Sequence, residues 1–136
     1  MSGYETIMVD VLARMKASPP VVPLANIRRA HLTAVPRSGA PAIHVIDGED
    51  KPAARNKCGG REGKLTVAIF GRSDAGPSAT DPYKIAVMAR MAAAWPVGIL
   101  CVPGAIVPNV EVADTDVIRV DMEFSVSYPT ADEWAL

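Results

Sequence analysis

The chain has 136 residues, a length that predicts one domain spanning 1–136 with room for a core of ordinary size. Apolar residues make up 49% of it, which excludes a disordered chain, and the longest apolar candidate, Val97–Val102, is strand-sized rather than long enough to span a bilayer. A net charge of −1, with acids and bases scattered along the chain, excludes a protein that lives chiefly on nucleic acid, because phosphate binding needs a concentrated excess of Lys and Arg. The opening residues show no basic region followed by an apolar stretch, so the chain reads as made in the cytoplasm. Cys58 and Cys101 are then expected as reduced thiols.

Tyr4, Ile7, Met8, Val11, Leu12 and Met15 recur at spacings of three and four, which predicts an amphipathic helix of about four turns. Ser2 and Glu5 have the form of a capping box, and Ser18-Pro19-Pro20 ends the helix. Two extended segments follow, Ile27–Val35 and Ala42–Asp47, joined by a Pro/Gly/Ser stretch at 36–41 with the composition of a hairpin loop. Gly48–Gly63 is polar, glycine-rich and without hydrophobic period, and is read as a protruding arm between two strands. Lys64–Phe70 is apolar at nearly every position, as in a central strand covered on both faces. After a turn region at 71–80, Asp81 as N-cap and Pro82 at the first helical position open a second helix over 81–94. Its buried stripe is expected at Ile85, Met88, Ala89 and Ala92, and Trp95-Pro96 stops it.

The remainder reads as β: a short strand at 98–102, a Pro103-Gly104 turn, and a looser strand at 105–113 in which Pro108 points to an edge or a bulge. A loop at Asp114-Thr115-Asp116 leads to the strongest signal of the chain, over 117–128. There Ile118, Val120, Met122, Phe124, Val126 and Tyr128 alternate with Arg119, Asp121, Glu123, Ser125 and Ser127. The predicted fold is α+β, in the order α-β-β-β-α-β-β: a mainly antiparallel sheet of four to five strands with both helices on one face.

No catalytic constellation emerges. Gly60–Lys64 resembles a phosphate loop only briefly, since Cys58 and Leu65 stand where the pattern needs Gly and Ser or Thr, and a strand begins where a helix should. His31 and His44 fall in predicted strands without a third metal ligand. Cys58 lies beside Lys57 and Arg61 but has no histidine placed to activate it. Asp74 and Asp81 bracket a helix entrance and form a weak candidate pair of oxygen ligands for a divalent cation, although turn and helix capping account for both. No cofactor and no enzymatic activity are therefore expected. The terminal Trp134 and Leu136 are costly to leave in water and must dock on their own domain or on a neighbour.

The opening amphipathic helix, the long polar arm, Leu65–Phe70 followed by Asp81–Ala94, and the closing strand with its Trp-bearing tail together resemble the tail-terminator proteins of long-tailed bacteriophages and prophages. The resemblance implies a ring, usually of six copies, in the virion at the head-proximal end of the tail. It would be seated on the tail-tube protein, stop the growth of the tube and offer a surface to the head–tail connector. DNA would meet it only in passage, and no membrane would be involved. A head-to-tail ring contact needs two different surfaces per subunit. On this reading the subunit-contact candidates are Arg119, Asp121 and Glu123 on the polar sheet face with Trp134 and Leu136 of the tail as one surface, and Arg72 and Asp74 in the 71–81 loop region as the other. The arm bases Lys51, Arg55, Lys57, Arg61 and Lys64, offset by Asp47, Glu49, Asp50 and Glu62, are candidates for tube or lumen contact. The competing readings are another head–tail connector or head-closure protein, and a small cytoplasmic enzyme or ligand-binding domain.

Overall fold

In the computed structural model, residues 3–29, 40–52, 60–72, 78–109 and 117–129 are described. Helix α1 (Gly3–Lys16) precedes a 3₁₀ turn (Leu24–Asn26) and strand β1 (Ile27–Arg29). Strands β2 (Ala42–Pro52) and β3 (Gly60–Arg72), helix α2 (Asp81–Ala92), and strands β4 (Leu100–Asn109) and β5 (Val117–Pro129) complete the order. The strands form one sheet in the spatial order β1-β2-β3-β5-β4, antiparallel throughout except that β1 runs parallel to β2. The α+β class and the mainly antiparallel sheet under two helices are as the periodicity predicts. No described helix is long and apolar enough to cross a membrane.

The sheet has two unlike faces because each strand alternates. Ile43, Val45, Leu65, Val67, Ile69, Met122, Phe124, Val126 and Tyr128 share one face with Tyr4, Ile7, Met8, Val11 and Met15 of α1 and Val87 and Met91 of α2, in a single buried cluster. Every member of the expected α1 stripe is in or against that cluster, with Leu12 partly covered. On the opposite face Ala42, Ala68 and Phe70 form a smaller buried group. His44 is buried there too, its ring 4.9 Å from that of Phe70 and its Nδ1 without a partner among the described residues. Burial, then the nearby charges of Arg28 and Arg119, push the His44 imidazole below its ordinary value of 6.5. His31, the second histidine singled out by sequence, lies outside the described residues, as do Ser2 and Cys58.

Five expectations are corrected. The parallel pairing of Ile27–Arg29 with Ile43–Val45 excludes a hairpin between the first two strands, because a hairpin makes its strands antiparallel. The polar stretch 48–63 is strand at both ends: Asp50, Lys51 and Pro52 pair with Gly63, Glu62 and Arg61, and Gly60–Gly63 pair with β5 on their other side. Its glycines made it look like a loop, yet Gly63 is buried, and a Cβ there would lie 2.6 Å from Cδ1 of Tyr4. The two strands expected at 98–102 and 105–113 are one strand to Asn109, shifted in register between Pro103 and Ile106, so the Pro103-Gly104 turn is a bulge. Pro108 does lie on an edge strand, as expected. In α2, Val87 and Met91 are the buried residues and Met88 of the expected stripe packs partly buried against the same cluster, whereas Ile85 is 72% exposed and Ala89 and Ala92 are exposed. That helix starts one residue earlier than expected. Thr80 is the N-cap, its carbonyl accepting from the Lys84 N–H at 2.9 Å, and Asp81 occupies the first turn, where its carboxylate meets Lys84 Nζ at 2.8 Å.

Two devices lock the helices to each other and to the sheet. The Tyr4 hydroxyl accepts from the Gly48 N–H (3.0 Å) and donates to the Lys64 carbonyl (2.8 Å), filling the gap left where the β2–β3 register shifts between Asp47 and Asp50. At the other end of α1, the helix C-termini cap each other. Arg14 donates to the carbonyls of Arg90, Ala93 and Ala94, while Arg90 donates to those of Arg14, Met15, Ala17 and Pro19. Each guanidinium thus satisfies orphan carbonyls and meets the negative end of the other helix dipole. Asp10 pairs with Arg14 at 3.0 Å, and the guanidinium stacks over the Trp95 ring at 3.9 Å.

Replacing Arg90 with Ala leaves several of these carbonyls unpaired, and is expected to lower stability by about 1–3 kcal/mol in urea unfolding, with Arg90→Lys recovering only part of it. His44 gives a second prediction. A folded-state imidazole held below its unfolded value binds its proton less readily than the unfolded chain does, so its contribution is present above pH 6.5 and lost as pH falls through and below that point. Urea unfolding of the wild type and of His44→Leu at about pH 7.5 and about pH 5 should show the smaller pH dependence in the variant.

Candidate functional site

The alternation of β5 sets the geometry of the face away from the helices. Register pairs Arg72 with Val117, Phe70 with Arg119, Ala68 with Asp121 and Thr66 with Glu123, so Arg72, Arg119, Asp121 and Glu123 all project from that face. The structure therefore brings these four subunit-contact candidates together. It also distinguishes them. Arg119 and Asp121 are half-buried and bound to each other through two hydrogen bonds, of 2.7 and 3.0 Å, with the guanidinium 5.6 Å from the centre of the Phe70 ring. Their charges are spent within the subunit. Arg72 and Glu123 are exposed, and among the described residues neither has an ionic partner. Asp74, Trp134 and Leu136 lie outside the described residues, so the Asp74–Asp81 pair is undescribed as a metal site; Asp81 itself is paired with Lys84.

The arm bases do not form one patch. Arg61 turns toward the helix-covered face, where its Nε lies 3.4 Å from Asp50 Oδ1, and the same oxygen accepts a hydrogen bond of 2.7 Å from the Tyr128 hydroxyl. Burial and the adjacent carboxylate raise the Tyr128 pKa. Lys51 is exposed and pairs in register with Glu62, while Lys64 is exposed on the opposite face of the sheet from Arg61. Arg55 and Lys57 fall outside the described residues. A third cluster ties α1 to the sheet: Arg29 reaches Glu5 and Asp47, each at 2.5 Å, and holds the Glu5 carboxyl below its ordinary range.

Between the two register shifts lies a shallow cavity of about 200 Å³ lined by Gly48, Lys64, Thr66, Gly104, Glu123 and Ser125. It is smaller than a typical small-molecule site and brings together no nucleophile and base. Cys101 is half-buried, and burial raises its thiol pKa, the opposite of activation. Among the described residues no cluster of His, Cys, Asp and Glu could hold a metal ion.

Sequence reasoning placed Pro108 at an edge or a bulge but missed the exposed apolar side of β4. Leu100, Val102, Ile106 and Val107 are 44–61% exposed on a strand that, among the described residues, is paired on one side only. The signal was present: no charged residue occurs anywhere in 91–110. Natural edge strands are commonly guarded by charge, and this one has only Pro103, Pro108 and its bulge.

No family model matches the sequence, and no curated protein does so either. The fold, however, has a counterpart. The chain superposes on a chain from the virion of a native gene transfer agent particle with a TM-score of 0.64 and 16% sequence identity, covering 91% of this chain and 95% of that one. At that identity what the two share is the fold.

Proposed function

We propose that the chain is a structural, non-catalytic component of a phage-like particle and, within it, the tail terminator: a ring that caps the tail tube, stops its polymerisation and presents a surface for head joining. The observation that carries this reading is the fold match to a virion particle chain over nearly the full length of both proteins. The sequence resemblance to tail terminators supplies the finer role. A ring of identical subunits, about six by that resemblance, needs a contact in which two different surfaces meet, closing when its rotation closes.

On this reading the face carrying Arg72 and Glu123, with residues 130–136, serves contacts between subunits, and the segment 53–59 that links β2 to β3 in sequence meets the tail tube. Arg119 and Asp121 shape that face from within, since they are already bound to each other. Passing DNA would see a chain of nearly balanced charge, suited to transit rather than retention.

Native mass spectrometry of the purified protein is expected to show a ring of about six copies, the number implied by the terminator resemblance. Added to growing tail tubes, the protein should shorten them in electron micrographs. A monomer that leaves tube length unchanged defeats the proposal, and a ring that leaves tube growth unaffected but binds the head favours a connector instead. Removing residues 130–136 should weaken the ring without unfolding the subunit. Exchanging 53–59 for a short Gly/Ser turn should preserve the ring but abolish capping.

A further inference from the structure

We infer that in the assembled protein the β4 edge is covered by a second copy of this chain, whose opposite sheet edge, the 3₁₀ turn with β1, supplies the other half of the contact. The inference rests on the ring reading above and adds the two sheet edges to the face named there. The sheet order β1-β2-β3-β5-β4 puts these two edges at opposite ends of one sheet. Each presents exposed apolar surface among the described residues: Val102 and Ile106 are 48% and 47% exposed on one, and Leu24, beside the exposed Arg28, is 56% exposed on the other. A contact between opposite edges is directional, the kind that closes into a ring rather than a pair.

Charge selects the occupant. Arg28 of β1 pairs in register with His44, and the rows His44–Ala68–Asp121 and Thr66–Glu123 place Arg28 and Glu123 on the same face of the sheet. Arg28 is exposed, and its one hydrogen bond among those described is a long one, 3.4 Å to the Ala25 carbonyl. Neither it nor Glu123 has an ionic partner among the described residues.

If β1 of a second copy continues the sheet beyond β4, Arg28 of that copy and Glu123 stand two strand spacings apart, roughly 10 Å between backbones, within the combined reach of the two side chains. The strand between them offers no obstruction. Glu123 faces the bulge between Pro103 and Ile106, and Gly104 there has no side chain, so a Cβ added to it would lie 3.5 Å from Glu123 Cβ. An isologous β4-to-β4 contact would bring two Glu123 carboxylates to one interface with no base between them. Pro103 and Pro108 withhold N–H groups from any added strand, which blunts indiscriminate pairing and leaves side chains to set the register.

The test uses two exposed-surface variants of the full chain: Val102→Lys with Ile106→Lys, and Leu24→Glu with Arg28→Glu. Circular dichroism and urea unfolding verify the fold of each, and native mass spectrometry with sedimentation reads assembly. Each variant alone is expected to be monomeric, whereas their equimolar mixture forms a one-to-one dimer, because one intact edge of each kind remains. In an otherwise wild-type chain, Arg28→Glu should weaken association by at least about tenfold, and Glu123→Arg in the same chain should restore it. Rings from both double variants alongside wild-type rings overturn the inference and leave the ring reading standing. Dimers from the Leu24/Arg28 variant alone overturn it in favour of an isologous contact. A monomeric wild type sinks the ring reading and this inference together.

Discussion

The unbroken pairing of β3 with β5 is the constraint on which the rest of the molecule is arranged. Every residue from Gly60 to Arg72 has a partner between Val117 and Pro129, with no shift in register. Two strands fixed in this way cannot absorb irregularity, so it appears in their outer neighbours, as the shift in β2 between Asp47 and Asp50 and the shift in β4 between Pro103 and Ile106. Both fall at about the same level of the sheet, beside Lys64 and Glu123 respectively. Each becomes useful. The gap in β2 receives the Tyr4 hydroxyl and fixes the start of α1, and the gap in β4 leaves Glu123 uncovered at an open edge.

What could be read from sequence follows from this constraint. β5 is half-buried along its whole length, so strict alternation from Ile118 to Tyr128 announces both its extent and its faces. The stripe of α1 is equally legible because that helix lies along the core with one face covered. Lys64–Phe70 reads as central because apolar residues fill both faces there. The strand ends at 48–52 and 60–63 were illegible for a local reason. The Tyr4 ring occupies the space a side chain at Gly63 would need, and the Lys64 backbone carbonyl does the same at Gly48, so glycines that signal a loop in isolation signal close approach in the fold. The orientation of α2 was misjudged because Ala, Met and Ile occur on several of its sides, and only the position of the sheet selects Val87 and Met91.

The candidate site divides along similar lines. Period two alone puts Arg119, Asp121 and Glu123 of β5 on one face, whereas Arg72, read from sequence as part of a second surface around 71–81, turns out to share that face through the β3–β5 register. Which of them carry free charge was invisible, because the self-pairing of Arg119 with Asp121 depends on side-chain geometry over Phe70. Pro108 pointed to an edge or a bulge in β4, but the exposed apolar side of that strand went unrecognised. Its lack of charge is informative only once the sheet order shows the strand to be outermost.

The exchange of caps between Arg14 and Arg90 also bears on how the chain is made. A 14-residue helix is marginal by itself in water, and the carbonyls at the end of α1 find their arginine 76 residues later in the chain. During synthesis α1 therefore leaves the ribosome without its cap, and it stays so until α2 has emerged. Because each helix terminates the other, neither reaches its final stability first. The two are completed in one cooperative step, and the earliest persistent structure is expected in the β2–β3 hairpin between them.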